Sequence, residues 1–362
     1  MGKAKTTRIK MADVARAAGV SSMTVSRALR RDASIAPATR RRIQKVVDQL
    51  GYVPDRLAGS FSSQRSGFVG VLVPSLNNPH FAETVAGLQD ALSDAGLQVL
   101  FGHTGYRATQ AERVIESMLQ RRPEAMIITY DDYTARSRDL LIGADIPIIE
   151  IWEHPAKPLG HVVGFSNRQA AADMTRHLIE IGRRRIGYIG EADDTGTRGA
   201  ERRKGFKDAM RAAGLDSRRR MATVPPPINM AQGHAAMAAL LERWPDTDAV
   251  MCVSDPAAFG AMTACQMAGR AVPHDIAVAG FGDFEISRCS LPSISTVVVD
   301  GHAIGWQTGL LVRELLSGTA KSSRVITVPA IATARDSSQV GLANVLAHNA
   351  DHRRLSIIEP PS

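Results

Sequence analysis

The chain has 362 residues, enough for two or three domains and a sizeable buried core. Its 44 Lys and Arg outnumber 36 Asp and Glu, giving a formal charge of +8, and no apolar run approaches the ~18 residues of a membrane span. The first residues lack the apolar core of a secretory signal, and Cys252, Cys265 and Cys289 are widely spaced in apolar surroundings. The expectation is a cytoplasmic protein with reduced core cysteines, no membrane partner, no metal and no cofactor. Met1 to Thr6 fits a myristoylation pattern, one short enough to arise by chance.

The positive surplus is uneven. Residues 1–65 carry 14 Lys and Arg against 4 Asp, a local +10 that leaves the rest of the chain at −2. A basic head on a near-neutral body suggests a polyanion-binding module joined to a second function.

In the head, Met11, Val14, Ala15 and Ala18 recur at i, i+3, i+4 and i+7, which predicts a short amphipathic helix ended by Gly19. Ser21 offers a cap to a second helix with Val25, Ala28 and Leu29 inward. A third helix follows Pro37, turns Ile43, Val46, Val47 and Leu50 to one side, and stops at Gly51. Two short helices joined by a glycine turn and braced by a third predict a helix-turn-helix. Ser22, Met23, Ser26 and Arg27 then fall on the outward side of the second helix, where base edges are read. Arg27 is suited to bidentate pairing with guanine. Lys10, Thr39, Arg40 and Arg41 flank it as phosphate contacts. The competing reading is a three-helix fragment whose basic residues are merely solvated.

From Gly67 onward, apolar runs alternate with helical segments. Runs at 68–73, 98–101, 126–128, 148–151, 186–189, 249–253 and 276–281 predict strands, with helices at about 79–95 and 108–121 after the first two. Repeated β-α units imply parallel sheets covered by helices on both faces, and the span is long enough for two lobes with a ligand crevice beyond the strand ends. No Gly-x-Gly-x-x-Gly, phosphate loop or Gly-x-Ser-x-Gly elbow equips the body as an enzyme. His348 and His352 stand four apart in a polar tail without a third ligand. An α/β carbohydrate enzyme is the alternative from another class, while a free-standing sugar-binding protein fits the body but not the head or the missing signal peptide. Duplex binding against sugar turnover separates them.

The run Met11 to Ser21 together with Thr24 to Leu29, and the junction Leu50 to Ala58, closely resemble the head and hinge of the LacI family of bacterial transcription regulators. The resemblance extends over about 67–336, the part related to periplasmic sugar-binding proteins. It implies an α/β protein with a three-helix head, a hinge helix and a two-lobed, doubly wound regulatory domain. The implied division is 1–53, a hinge at 54–66, an effector-binding and dimerisation domain at 67–338, and a tail at 339–362. The tail carries no leucine heptads, so a homodimer on a near-palindromic duplex operator is expected. In the DNA-binding set, Ser21, Thr24, Arg56, Ala58 and Phe61 join the residues above. Phe61 stands where relatives place a leucine wedge, and Gly59 raises the cost of ordering the hinge helix.

For the effector, the resemblance puts His80, Phe81, Tyr130, Trp152, Arg202, Ser254 and Asp283 at the crevice, with Glu150 and Asp131 as further candidates. Arg202 aligns with the arginine that anchors the effector's polar head, although Arg198, Arg203 and Lys204 around it also read as a solvated basic face. Gly282 stands where relatives often place an acid, and here Asp283 is acidic instead. A pocket short of that acid tolerates an anionic ligand. Gly59 to Gly67, Phe101 to Tyr106 and Gly280 to Asp283 are most like the gluconate-operon repressors. That likeness implies repression relieved by gluconate or a related sugar acid. A different sugar, a sugar phosphate or a corepressor mode stays open.

Overall fold

The computed structural model describes residues 9–29, 32–53, 66–129, 133–192, 197–319 and 322–339, and divides into compact units at 1–66 and 67–362. Arg56, Ala58, Phe61, Tyr130 and Asp131 lie outside the described residues, as do the hinge at 54–65 and the tail from 340.

In the first unit, helices α1 (Met11–Ala18), α2 (Ser22–Leu29) and α3 (Pro37–Leu50) enclose a small core of Val14, Ala15, Ala18, Val25, Ala28, Ile43 and Val47. Each boundary has a local cause. The Lys10 amide donates to Asp13 Oδ2 at 2.9 Å and closes the first turn of α1, and Gly19 ends that helix at φ +63°. Ser21 Oγ accepts the Thr24 amide at 3.1 Å and caps α2. Gly51 ends α3 at φ +61°, after which Tyr52 drops into the core.

The second unit holds a six-stranded parallel sheet in the order β11-β5-β4-β3-β1-β2 and a four-stranded parallel sheet in the order β7-β6-β8-β9. The strands of the first are β1 (Phe68–Val73), β2 (Gln98–His103), β3 (Met126–Thr129), β4 (Ile148–Ile151), β5 (His161–Gly164) and β11 (Val325–Thr327). Those of the second are β6 (Ile186–Gly190), β7 (Met221–Thr223), β8 (Ala249–Cys252) and β9 (Ala277–Ala279). An antiparallel pair, β10 (Thr296–Val299) with β12 (Ala330–Thr333), forms its own ladder and is tied to the segment leaving β9 by bridges Ala279–Ser295 and Gly282–Val298.

The inner strands β1, β3, β4, β6 and β8 are buried on both faces, which is why they read as continuous apolar runs. In β1, Val69, Val71 and Val73 enter the core beneath α4 (Pro79–Leu92) and α12 (Gly301–Leu316). Leu72 faces the opposite core with α5 (Ala108–Leu119) and α6 (Ala135–Ile142). In the second lobe, α7 (Asn167–Glu180) and α8 (Arg198–Ala212) cover one face, and α9 (Met230–Arg243) and α10 (Asp255–Met267) the other. At the contact of α7 and α8, a Cβ on Gly205 would lie 1.9 Å from the Arg168 carbonyl oxygen, so only glycine permits that approach. Phe206 next to it is buried with its ring 5.2 Å from Tyr188, and the pair fixes the rotation of α8.

Two expectations need correction. Cys289, read as a core residue, is exposed at the end of the short helix α11 (Glu285–Cys289), whereas Cys252 and Cys265 are buried. The β10–β12 pair was not anticipated; β10 is short and mostly buried, and β12 has no fully buried residue.

Candidate functional site

In the head, α2 turns Val25 and Ala28 inward and leaves Ser21, Ser22, Met23 and Arg27 exposed, with Thr24 and Ser26 half-buried at the margin. Met23 is 61% exposed on this face. Lys10 and Arg41 are exposed and Thr39 is half-buried. Arg40 is used differently from a free phosphate arm. Its Nη2 donates to the Asp32 and Ile35 carbonyls at 2.8 and 3.3 Å, tying the loop before α3 to the helix.

In the body, a crevice of about 560 Å³ lies beyond the carboxyl ends of both sheets. Asn77 and Asn78 follow β1, Tyr106 follows β2, Trp152 follows β4, Glu191 follows β6, Asn229 follows β7, Ser254 follows β8, and Phe281 and Gly282 follow β9. Asn78 caps α4 by accepting the His80 amide at 3.1 Å, which brings His80 and Phe81 into the crevice from the first lobe. His80 Nδ1 is 3.2 Å from Glu83 Oε2, and its Nε2 is buried without a protein partner. Burial lowers the pKa of His80, while Glu83 pulls it up. The ring is therefore neutral at neutral pH, and with Nδ1–H donating to Glu83 its Nε2 is left as an acceptor.

Arg198 and Arg202 enter from the second lobe, four residues apart on the same face of α8. The forks of the two arginines are not equivalent. Arg202 Nε donates to Asn167 Oδ1 at 2.8 Å, its Nη1 donates to the Val253 carbonyl at 2.7 Å, and its guanidinium lies 3.6 Å from the Phe281 ring centre. Burial and then the Arg198 charge pull its pKa down to about 10, which still leaves it charged at neutral pH. Arg198 is 7% exposed, sits 5.1 Å from the Phe81 ring centre, and has a buried Nη1 with no protein partner. The rest of the basic run turns elsewhere: Arg203 donates to the Glu191 carbonyl and Lys204 pairs with Glu201 at 2.6 Å.

Trp152 belongs to the wall. Its indole N–H donates to Thr84 Oγ1 at 3.1 Å, and its ring meets Phe81 and Phe165 edge to face. Ser254 caps α10 by accepting the Ala257 amide at 3.4 Å and borders the crevice. Glu191 accepts the Thr197 hydroxyl, and burial pushes its pKa up while that bond and both arginines pull it back.

The structure removes two expected acids from the crevice. The Asp283 carboxylate accepts from Arg335 at 2.6 Å, Arg288 at 2.8 Å and the Ser287 hydroxyl at 3.2 Å, so its acceptor capacity is already used. Backbone φ angles of +124° at Gly282 and +63° at Asp283 set the two side by side with different outlooks. Only Gly282 borders the crevice. Glu150 is buried within β4 and accepts the Leu159 amide at 2.6 Å, facing the strand-to-strand connection instead. Sequence reasoning missed Asn77, Asn78, Tyr106, Glu191, Asn229 and Phe284, although all follow strands. Phe284 meets the His80 ring at 4.5 Å, edge to face, from the opposite lobe.

A three-helix head with an exposed polar recognition face, on a chain that also carries a two-lobed crevice for a small polar molecule, defines a ligand-responsive DNA-binding regulator. The comparisons agree. A family described as periplasmic binding proteins and sugar binding domain of LacI family matches residues 66–336, and bacterial regulatory proteins, lacI family, match residues 10–55. The chain belongs to the LacI family of bacterial regulatory proteins and is a DNA-binding transcriptional regulator. It is 34% identical over 299 residues to the HTH-type transcriptional regulator IdnR of Escherichia coli K12, covering 82% of this chain and 89% of that protein. It is also 34% identical over 301 residues to the HTH-type transcriptional regulator GntR of the same organism, covering 83% and 90%. A solved LacI family transcriptional regulator from Silicibacter pomeroyi has 49% identity and a TM-score of 0.72, covering 75% of this chain and 99% of that one.

Proposed function

We propose that this regulator is a cytoplasmic, homodimeric repressor of sugar-acid utilisation genes, without enzymatic activity, released from a near-palindromic operator by gluconate or a related sugar acid. In this reading residues 1–53 read DNA, 54–66 connect, 67–338 sense and dimerise, and 339–362 form a tail. Arg27, with Ser22, Met23 and Ser26, reads base edges, while Lys10, Thr39 and Arg41 hold phosphates.

One observation carries the effector assignment. Arg198 Nη1 and His80 Nε2 are buried at the crevice without protein partners, a cationic donor and a neutral acceptor on opposite lobes. Buried polar atoms are ordinarily satisfied, and a sugar acid satisfies both: its carboxylate on Arg198, a hydroxyl on His80. Arg202, already held by Asn167 and Val253, keeps α8 and the ends of β4 and β8 in place. A ligand that joins the lobes changes their relative angle and so the DNA affinity, and the coupling is reciprocal.

The test is operator binding by fluorescence anisotropy with and without gluconate, alongside thermal unfolding against a panel of sugar acids. Gluconate is expected to raise the unfolding temperature and release the duplex. Stabilisation with tighter operator binding makes the ligand a corepressor. No stabilisation by any sugar acid overturns the reading.

A further inference from the structure

We propose that Glu191 sets the charge of the effector at one: by cancelling one of the two arginine charges, it matches the crevice to a monocarboxylate and turns away dianions of the same size. The inference rests on the sugar-acid reading and decides a point it leaves open, between a singly charged sugar acid and an aldarate or phosphorylated one.

The first turn of α8 is built around this carboxyl. A Cβ on Gly199 would lie 2.3 Å from Glu191 Oε1, so residue 199 must be glycine for the acid to sit there. Thr197 holds it from the other side: its hydroxyl donates to Glu191, while the same oxygen accepts the Ala200 amide at 3.2 Å as the cap of α8. The acid is thus fixed beside the helix turn that carries Arg198 and Arg202, within the field of both. Fixed orientation matters because a mobile acid would swing to whichever arginine the ligand left free.

The charge count follows from the described residues that line the crevice. Two are permanent cations, Arg198 and Arg202; His80 is neutral; Glu191 is the one carboxyl group. Asp255, the residue after Ser254, is turned inward and accepts the Thr296 hydroxyl at 2.6 Å and the Phe284 amide at 2.8 Å, and Asp283 is held by two arginines. With Glu191 ionised, the described residues that line the crevice carry a net charge of +1. A neutral polyol offers Arg198 Nη1 a hydroxyl acceptor but no counter-charge, and a monocarboxylate supplies both. A dianion brings a negative charge with no counter-ion, in a place where charges a few ångströms apart interact far more strongly than in water.

An isosteric series reads the charge directly: sorbitol, gluconate and glucarate are open six-carbon chains of charge 0, −1 and −2. Calorimetric titration of the full chain is expected to rank gluconate above both others. Glu191→Gln keeps the size and a hydrogen-bonding group for Thr197 but removes the charge. It should raise the glucarate-to-gluconate affinity ratio by roughly tenfold or more. Arg198→Gln shifts the balance the other way and should raise the sorbitol-to-gluconate ratio by a similar factor, which keeps the test decisive if the Glu191 variant does not fold. Wild-type protein that binds glucarate as tightly as gluconate overturns the inference. So does a Glu191→Gln protein whose affinities fall together at an unchanged ratio, because that outcome makes Glu191 a packing residue only. If none of the three compounds binds, the sugar-acid reading itself fails.

Discussion

The head and the body both rely on arginine, and they use it in opposite ways. On α2 of the head, Arg27 stands exposed, free to meet a large polyanion that arrives from solvent. On α8 of the body, Arg198 and Arg202 are turned inward, one unmatched and one held by Asn167 and Val253. An exposed arginine costs little to keep and contributes affinity that salt screens. A buried arginine is costly to leave unpaired, so it stores a demand for one particular partner. The comparison therefore separates a surface that tolerates many polyanions, and discriminates through a few base contacts, from a crevice that discriminates through charge count.

The sharpest way to break this contrast is at Asp283, the acid that sequence order places next to the crevice and packing removes from it. Asp283→Ala strips the carboxylate from Arg335 and Arg288 and the acceptor from Ser287. Arg335 is mostly buried, so its loss dominates, and the exposed Arg288 adds little. The body should lose about 3 kcal/mol by denaturant unfolding, with gluconate affinity unchanged in the fraction that folds. A stable variant with weakened gluconate binding would return Asp283 to the crevice.

Arg198→Gln comes next. Removing a charge-assisted bond to the ligand should lower gluconate affinity by roughly ten- to a hundredfold, with operator binding in the absence of ligand intact. Arg27→Ala is the counterpart in the head. It should lower the preference for operator over random duplex by about 1–3 kcal/mol while leaving the gluconate affinity of the free protein unchanged. The two variants should not cross over: a loss of gluconate affinity in free Arg27→Ala protein would mean the two arginine systems are not independent.

The difference in legibility between the two regions has the same physical origin. The head's contacts are local, so the spacing of Val14, Ala15, Ala18, Val25 and Ile43 is enough to predict α1 to α3, and the two-sided burial of β1, β3 and β8 makes the body's sheets readable as apolar runs. The crevice is assembled from loops far apart in sequence. Arg198 is hidden within a basic run, because telling its face from that of Arg203 requires knowing that α8 is capped by Thr197 and is clocked by Gly205 against Arg168. Asp283 is misread because its partner Arg335 is 52 residues away and nothing local announces the pairing. Glu191 carries no signal beyond following a strand. Its place depends on the missing Cβ of Gly199.

The smallest effect sharpens the head's side of the comparison, where stability and recognition share a residue. Ser21 caps α2 through the Thr24 amide, and its exposed hydroxyl also stands on the proposed DNA face. Ser21→Ala removes both roles and should cost about 1 kcal/mol in unfolding along with some operator affinity, which by itself does not distinguish a weakened helix from a lost contact. Ser21→Asp separates them. Aspartate caps a helix as well as serine and its charge suits the N-terminal end of the helix dipole, so the head should unfold at the wild-type temperature or slightly above. The same charge would face phosphates, so operator affinity should fall further than in Ser21→Ala, and the fall should shrink as salt is added. If Ser21→Asp keeps both stability and full operator affinity, residue 21 points away from the duplex, and the reading face begins at Ser22.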